Sequence, residues 1–163
     1  MAPLVIEPMG RAIPVNRRTL DAFNQAYAAR DLAALSRLID DDATWTINGP
    51  VELLHFCGTR RGKAAVLDMV GRLVPELFVI TGFVQDSVVL DGDRAATLNR
   101  LSGRRADGRA ISYRVAQFIR FQDGKVAEYC SVIDSFDAAE QVLGHPISLM
   151  ERKPVGDGTC VAI

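Results

Sequence analysis

From Phe78 to Asp134 the chain reads as a run of long strands, divided by three turn signals: Asp91-Gly92-Asp93, Asp107-Gly108 and Asp123-Gly124. Each signal contains a residue that tolerates positive φ, as tight hairpins require. The stretch therefore reads as four long strands in an antiparallel meander. The residues before it have helical spacing. Leu20, Phe23 and Tyr27 form one apolar stripe behind Asn16, a candidate cap. Asp31 caps a second helix that buries Leu32, Leu35, Leu38 and Ile39, and the run Asp40-Asp41-Asp42 ends it. Ala43 to Asn48 reads as a short strand, broken by Gly49-Pro50. A loop with His55, Phe56 and Cys57 follows, then a third helix from about Lys63 to Glu76. A last helix, about Asp137 to Leu143, stops at Gly144 with Pro146 beyond. Helices, then a meander, then one helix imply an α+β fold: a curled sheet wrapped round a helical lid, with room for a pocket.

The 163 residues suit one domain. Residues 1–14 read as an irregular arm, 15–146 as the domain and 147–163 as a tail. Nineteen basic and twenty acidic residues nearly cancel, so nothing points to nucleic acid. Cys57, Cys130 and Cys160 are odd in number and far apart, which fits neither a disulfide framework nor a zinc spacing. His55 and His145 have no ligand-spaced neighbour, so no metal is expected. Nothing reads as a signal peptide or a membrane span, and the expected compartment is cytoplasmic. The last four residues, Cys160-Val161-Ala162-Ile163, match the prenylation pattern, but no polybasic stretch precedes them.

Strand alternation selects candidate site residues. On the third strand of the meander Tyr113, Val115, Gln117, Ile119 and Phe121 share the more apolar face, which puts the Tyr113 hydroxyl and the Gln117 amide inside. Arg114, Phe118 and Arg120 share the other face, which suits a dimer surface. On the last strand, without a bulge, Val126, Glu128, Cys130, Val132 and Asp134 share a side. At the mouth of an apolar pocket Asp134 would serve as a general acid or base. As an acid at a strand end it would equally cap the final helix. Trp45 reads as a cavity wall, Asn48 as a ligand or turn residue, and His55 as part of the loop over the mouth. One of Asn99 and Arg100 must point inward, and Arg100 is the candidate for a catalytic pair with Asp86 or Asp134.

Three strings in order resemble the nuclear transport factor 2-like (NTF2-like) superfamily, in its SnoaL-like and ketosteroid isomerase-like branch. They are FNQAYAARDLAALSRLIDDDATWTING, GTRRGKAAVLDMV and FIRFQDGKVAEYCSVID. The resemblance runs from about Arg17 to Leu143. It implies a cone-shaped barrel with an apolar cavity and a homodimer formed through the outer face of the sheet. Members include isomerases, epoxide hydrolases, dehydratases, polyketide cyclases and non-catalytic modules, so the fold alone fixes no activity. Set against the limonene epoxide hydrolase branch, Ser131 stands where an acid of the water-activating relay belongs. Leu98, Asn99 and Arg100 supply no other acid, and Thr46 replaces a helper tyrosine. That relay is therefore incomplete.

The expectation is a SnoaL-like protein that binds a small apolar molecule without a cofactor. It would be an acid-base isomerase, cyclase or hydrolase using Asp134, Tyr113 and Arg100. Its ligand would lie against Trp45, Asn48, His55, Gln117 and Ser131. The alternative is a non-catalytic binding or dimerisation module.

Overall fold

A computed structural model describes residues 14–15 and 17–147. Asn16, the Cys160 motif and nearly all of both terminal segments lie outside the described residues. Helix α1, Arg17–Ala29, buries Leu20, Phe23, Ala26 and Tyr27 on one face. Helix α2, Leu32–Leu38, begins at Asp31, whose Oδ1 accepts from the Ala34 amide at 2.9 Å. Strand β1, Ile39–Asn48, starts earlier than the acidic run suggests. Asp41 and Asp42 lie within it, exposed at a break in its register, where carboxylates stay in water.

Strand β2, Gly58–Arg61, lies where the sequence reads as loop, and pairs antiparallel with β1. The third helix comes in three parts: α3, Lys63–Asp68; a π turn, Met69–Leu73; and α4, Val74–Leu77. Pro75 explains the π turn. It has no amide to donate, and its ring crowds the carbonyl four residues back, at Gly71. Widening the turn relieves both. Strands β3, Val79–Asp91; β4, Arg94–Arg104; β5, Ala110–Gln122; and β6, Lys125–Ile133 form the meander. Helix α5, Ser135–Leu143, ends at Gly144 with φ +81, a left-handed stop that favours glycine.

The six strands form one curled, unclosed sheet in the order β2-β1-β6-β5-β4-β3. All neighbours are antiparallel except β1 and β6, which run parallel. The core fills the space between the sheet and the helices, with Phe23, Leu35, Trp45, Met69 and Val126 fully buried. A register shift near Arg120 and Phe121 decides which way β6 faces. Val126 and Ala127 are both buried, so the alternation slips by one. Tyr129, Ser131 and Ile133 then point inward. Glu128, Cys130 and Val132 point outward, opposite to the parity of an unbulged strand. Among the described residues no helix is long and apolar enough to cross a membrane.

Candidate functional site

An aromatic stack forms the floor of the interior. Trp45 and Tyr129 are register partners on the parallel strands β1 and β6. Their rings lie 3.7 Å apart and 10° from parallel. Phe23 and Tyr27 of α1 close over them, with centroids 5.9 Å from Trp45. A second chain of rings, Phe56 to Phe78 to Tyr113, runs edge-on along the wall. These rings leave a small void of about 20 Å³, lined by Tyr27, Phe56, Phe83, Tyr113, Gln117, Ser131 and their neighbours. It has room for about one water.

The polar groups of the interior come from neighbouring strands. Thr97 and Gln117 are register partners on β4 and β5, and the Thr97 hydroxyl donates to Gln117 Oε1 at 3.0 Å. Gln117 Nε2 donates to the Tyr129 hydroxyl at 2.8 Å, and the Ser131 side chain also hydrogen-bonds there. Asn99 Nδ2 donates to Thr97 Oγ1 at 2.7 Å. Asn99 Oδ1 and Trp45 Nε1 are buried without a partner. Among the described residues the Tyr27 and Tyr113 hydroxyls make no hydrogen bond, although both residues line the void.

Burial pushes the Tyr27 phenol up to about 12, with the nearby Cys57 adding to the effect. It also raises Tyr113 and Tyr129 well above the ordinary phenol value. All three phenols therefore stay protonated near neutral pH, as hydrogen-bond donors rather than bases. The Cys57 thiol, 2% exposed, is pushed up to about 11 by burial and stays a thiol. No carboxylate lines the void. Among the described residues no group of His, Cys, Asp and Glu is placed to hold a metal ion.

The residues singled out from the sequence fall in four places. Tyr113, Gln117 and Ser131 line the void. Trp45 lies one layer deeper, under Tyr129. Asn48 is on the outer side, where its amide donates to the Ser131 carbonyl at 2.9 Å. His55, Arg100 and Asp134 are exposed. Arg100 faces Arg114 across the outer face, and its chain neighbour Asn99 takes the inward position. Asp134 takes the helix-cap position: its side chain accepts from the Asp137 amide at the start of α5. That outward placement follows from the bulge in β6, which an unbroken alternation hides. Tyr27, Tyr129 and Phe83 enter the site without having been singled out. Tyr27 was visible only as part of a helical stripe, and the bulge hid Tyr129.

The loop from Pro50 to Cys57 is held by Arg60. Its guanidinium donates to the carbonyls of His55, Phe56 and Cys57 at 2.7, 2.8 and 3.0 Å. On the outer face of the sheet, a groove of about 520 Å³ runs over Thr44, Val89, Ala96, Phe118, Arg120 and Cys130. Arg120 pairs there with Glu128 at 2.7 Å.

The SnoaL-like domain model matches residues 20–129. Among solved structures, a candidate isomerase from Rhodopseudomonas palustris is 36% identical, with a TM-score of 0.74. The match covers 80% of this chain and all of that one. An LEH-like epoxide hydrolase of M. tuberculosis matches at 16% identity and TM-score 0.64, covering 78% of this chain and 88% of that one. TerC, crystallised with polyporic acid, matches at 16% identity and TM-score 0.68, covering 77% and 96%. These last two likenesses speak to the fold alone. No curated protein matches the sequence.

Proposed function

Because the chain belongs to the SnoaL-like domain family, within the NTF2-like superfamily, we propose that it binds a small, largely apolar molecule inside its curled sheet. One oxygen of that molecule is held by the Tyr27 and Tyr113 hydroxyls. The observation that carries this reading is a pair of neutral phenols at the void, neither of them hydrogen-bonded to a described residue. Two donors beside apolar walls favour a carbonyl or similar acceptor. The guest displaces the water the void can hold and pushes one wall side chain aside. Cyclohexanone, titrated while Trp45 fluorescence is followed, tests this. Tyr113→Phe and Tyr27→Phe should each weaken binding about tenfold, the worth of one hydrogen bond. Unchanged affinity in both variants would sink the reading.

A second reading, proton-transfer catalysis, draws on the likeness to the R. palustris candidate isomerase. The same two phenols would stabilise an enolate oxygen, and Asp134, exposed at the helix cap, would take the proton through water rather than by contact. Asn caps helices as well as Asp does, so Asp134→Asn removes the acid and keeps the cap. Wild-type protein that speeds deuterium exchange at the α carbon of cyclohexanone, with Asp134→Asn slower, would support catalysis. No acceleration by the wild type would leave binding alone.

The outer face supports a further proposal, a homodimer. Val84, Val89, Phe118 and Val132 are 48–65% exposed on it, a patch of the kind that soluble surfaces seldom leave open. Phe118→Glu should halve the mass measured by sedimentation equilibrium. A wild type already monomeric at micromolar concentration would count against it.

A further inference from the structure

We propose that the groove between α1 and β3 is the mouth of the interior void and that Phe83 is its gate, admitting neutral molecules. The proposal rests on the reading that the void takes a guest. Phe83 lines two spaces at once. It is a wall of the void beside Tyr27, Tyr113 and Gln117. It also lines a surface groove of about 250 Å³ bounded by Arg17, Asp21, Asn24, Gln25 and Gln85. One side chain thus separates inside from outside. Turning it away joins the small void to a space more than ten times larger.

Three observations make this wall the one that yields. Phe83 is only half-buried, whereas Phe56 and Leu101, also void walls, are 4% and 6% exposed. It stands on β3, the edge of the sheet, which has a ladder partner on one side only. It also lies between two register shifts, at Ile80/Gly82 and Gln85/Ser87, where the strand is already broken. The opposite wall is tied down. Arg60 holds three carbonyls of the loop that carries Phe56, and Phe56 packs edge-on against buried Phe78.

The chemistry of the passage sets the class of guest. At the rim Arg17 spans from α1 to β3, pairing with Asp21 at 2.9 Å and donating to Gln85 Oε1 at 2.6 Å. Beyond Phe83 the lining is apolar side chains, phenols, an amide and a hydroxyl, with no charge. An ion would lose its water there without a counter-charge. The fitting molecule is uncharged and narrow, with an apolar body and an oxygen acceptor at its leading end.

Quenching of Trp45, the chain's single tryptophan, tests this in the full chain without any ligand. A quencher in the void meets the Tyr129 ring, which stacks on Trp45. Phe83→Ala should raise the quenching constant of neutral acrylamide at least threefold and leave that of iodide near the wild-type value. Phe56→Ala should change either one little. Wild-type quenching in a folded Phe83→Ala protein overturns the gate. So does an equal rise in Phe56→Ala, or an equal rise with iodide, which would mean a generally loosened chain. If Phe83→Ala does not fold, Phe83→Leu, which keeps the apolar contact but not the ring, is read in the same way. Failure here leaves the phenol-pair reading standing, since Tyr27→Phe and Tyr113→Phe judge that independently.

Discussion

Gln117 sets the order of the interior hydrogen bonds. It accepts from Thr97 and donates to Tyr129, and no other described side chain joins β4 to β6 in this way. Gln117→Leu keeps the volume nearly unchanged but leaves the buried Thr97 hydroxyl without its acceptor. The expected cost is about 1–3 kcal/mol, read as a lower urea midpoint with an unchanged slope. At this scale the sequence was legible wherever the backbone was regular. Plain alternation on β5 puts Tyr113 and Gln117 inside. It misleads on β6, because Val126 and Ala127 are both buried there and every later side chain changes faces. Alternation could not decide between Asn99 and Arg100, since either parity satisfies it. The neighbours settle it: a buried Asn finds Thr97 and the Val115 carbonyl, whereas a buried Arg would need an acid that the interior lacks.

The elements most legible in the sequence are those with turn residues that admit one geometry. Gly92, Gly108, Asp123 and Gly124 all take positive φ, and each closes a hairpin where the sequence asks for one. The π turn and β2 were hidden, because Pro75 acts through spacing along the helix and β2 is only four residues long. The join between β6 and α5 has a test of its own. β6 pairs with β5 only from Val115 onward, so the edge of β5 before that lacks a strand partner. The Gln141 side chain fills the gap. Its Nε2 donates to the Ser112 carbonyl at 2.9 Å, and its Oε1 accepts from the Ser112 amide at 2.7 Å. Gln141→Ala should raise the hydrogen-exchange rate of the Ser112 amide at least tenfold while global stability falls by about 1 kcal/mol. Asp134→Ala should cost about 1 kcal/mol through the lost cap, and Asp134→Asn close to nothing. Thermal denaturation of the two variants separates these outcomes.

For the whole molecule, the three phenols make stability depend on alkali. Tyr27, Tyr113 and Tyr129 are all the tyrosines of the chain, and each is held above its ordinary value. The folded state keeps these protons after the unfolded chain has begun to release them. Their contribution is intact below about pH 10 and is lost as pH rises from there toward the folded values. The loss approaches about 1.4 kcal/mol per pH unit for each phenol. Absorbance at 295 nm should stay flat past pH 10 and then rise in one step with loss of the far-ultraviolet signal. Three independent titrations near pH 10 in the folded protein would contradict this. The sheet order has a consequence for synthesis. β6, the last strand made, pairs with β1, the first, and so joins the two parts of the sheet. A nascent chain that has emerged only through β5 has the helices before the meander, the β1-β2 pair and a three-stranded meander, but no strand to join the two parts of the sheet. Trp45 meets Tyr129 only when β6 arrives. The ribosome must therefore release nearly the whole domain before it can close, and a chain stalled short of β6 presents an apolar surface to the chaperones that meet it.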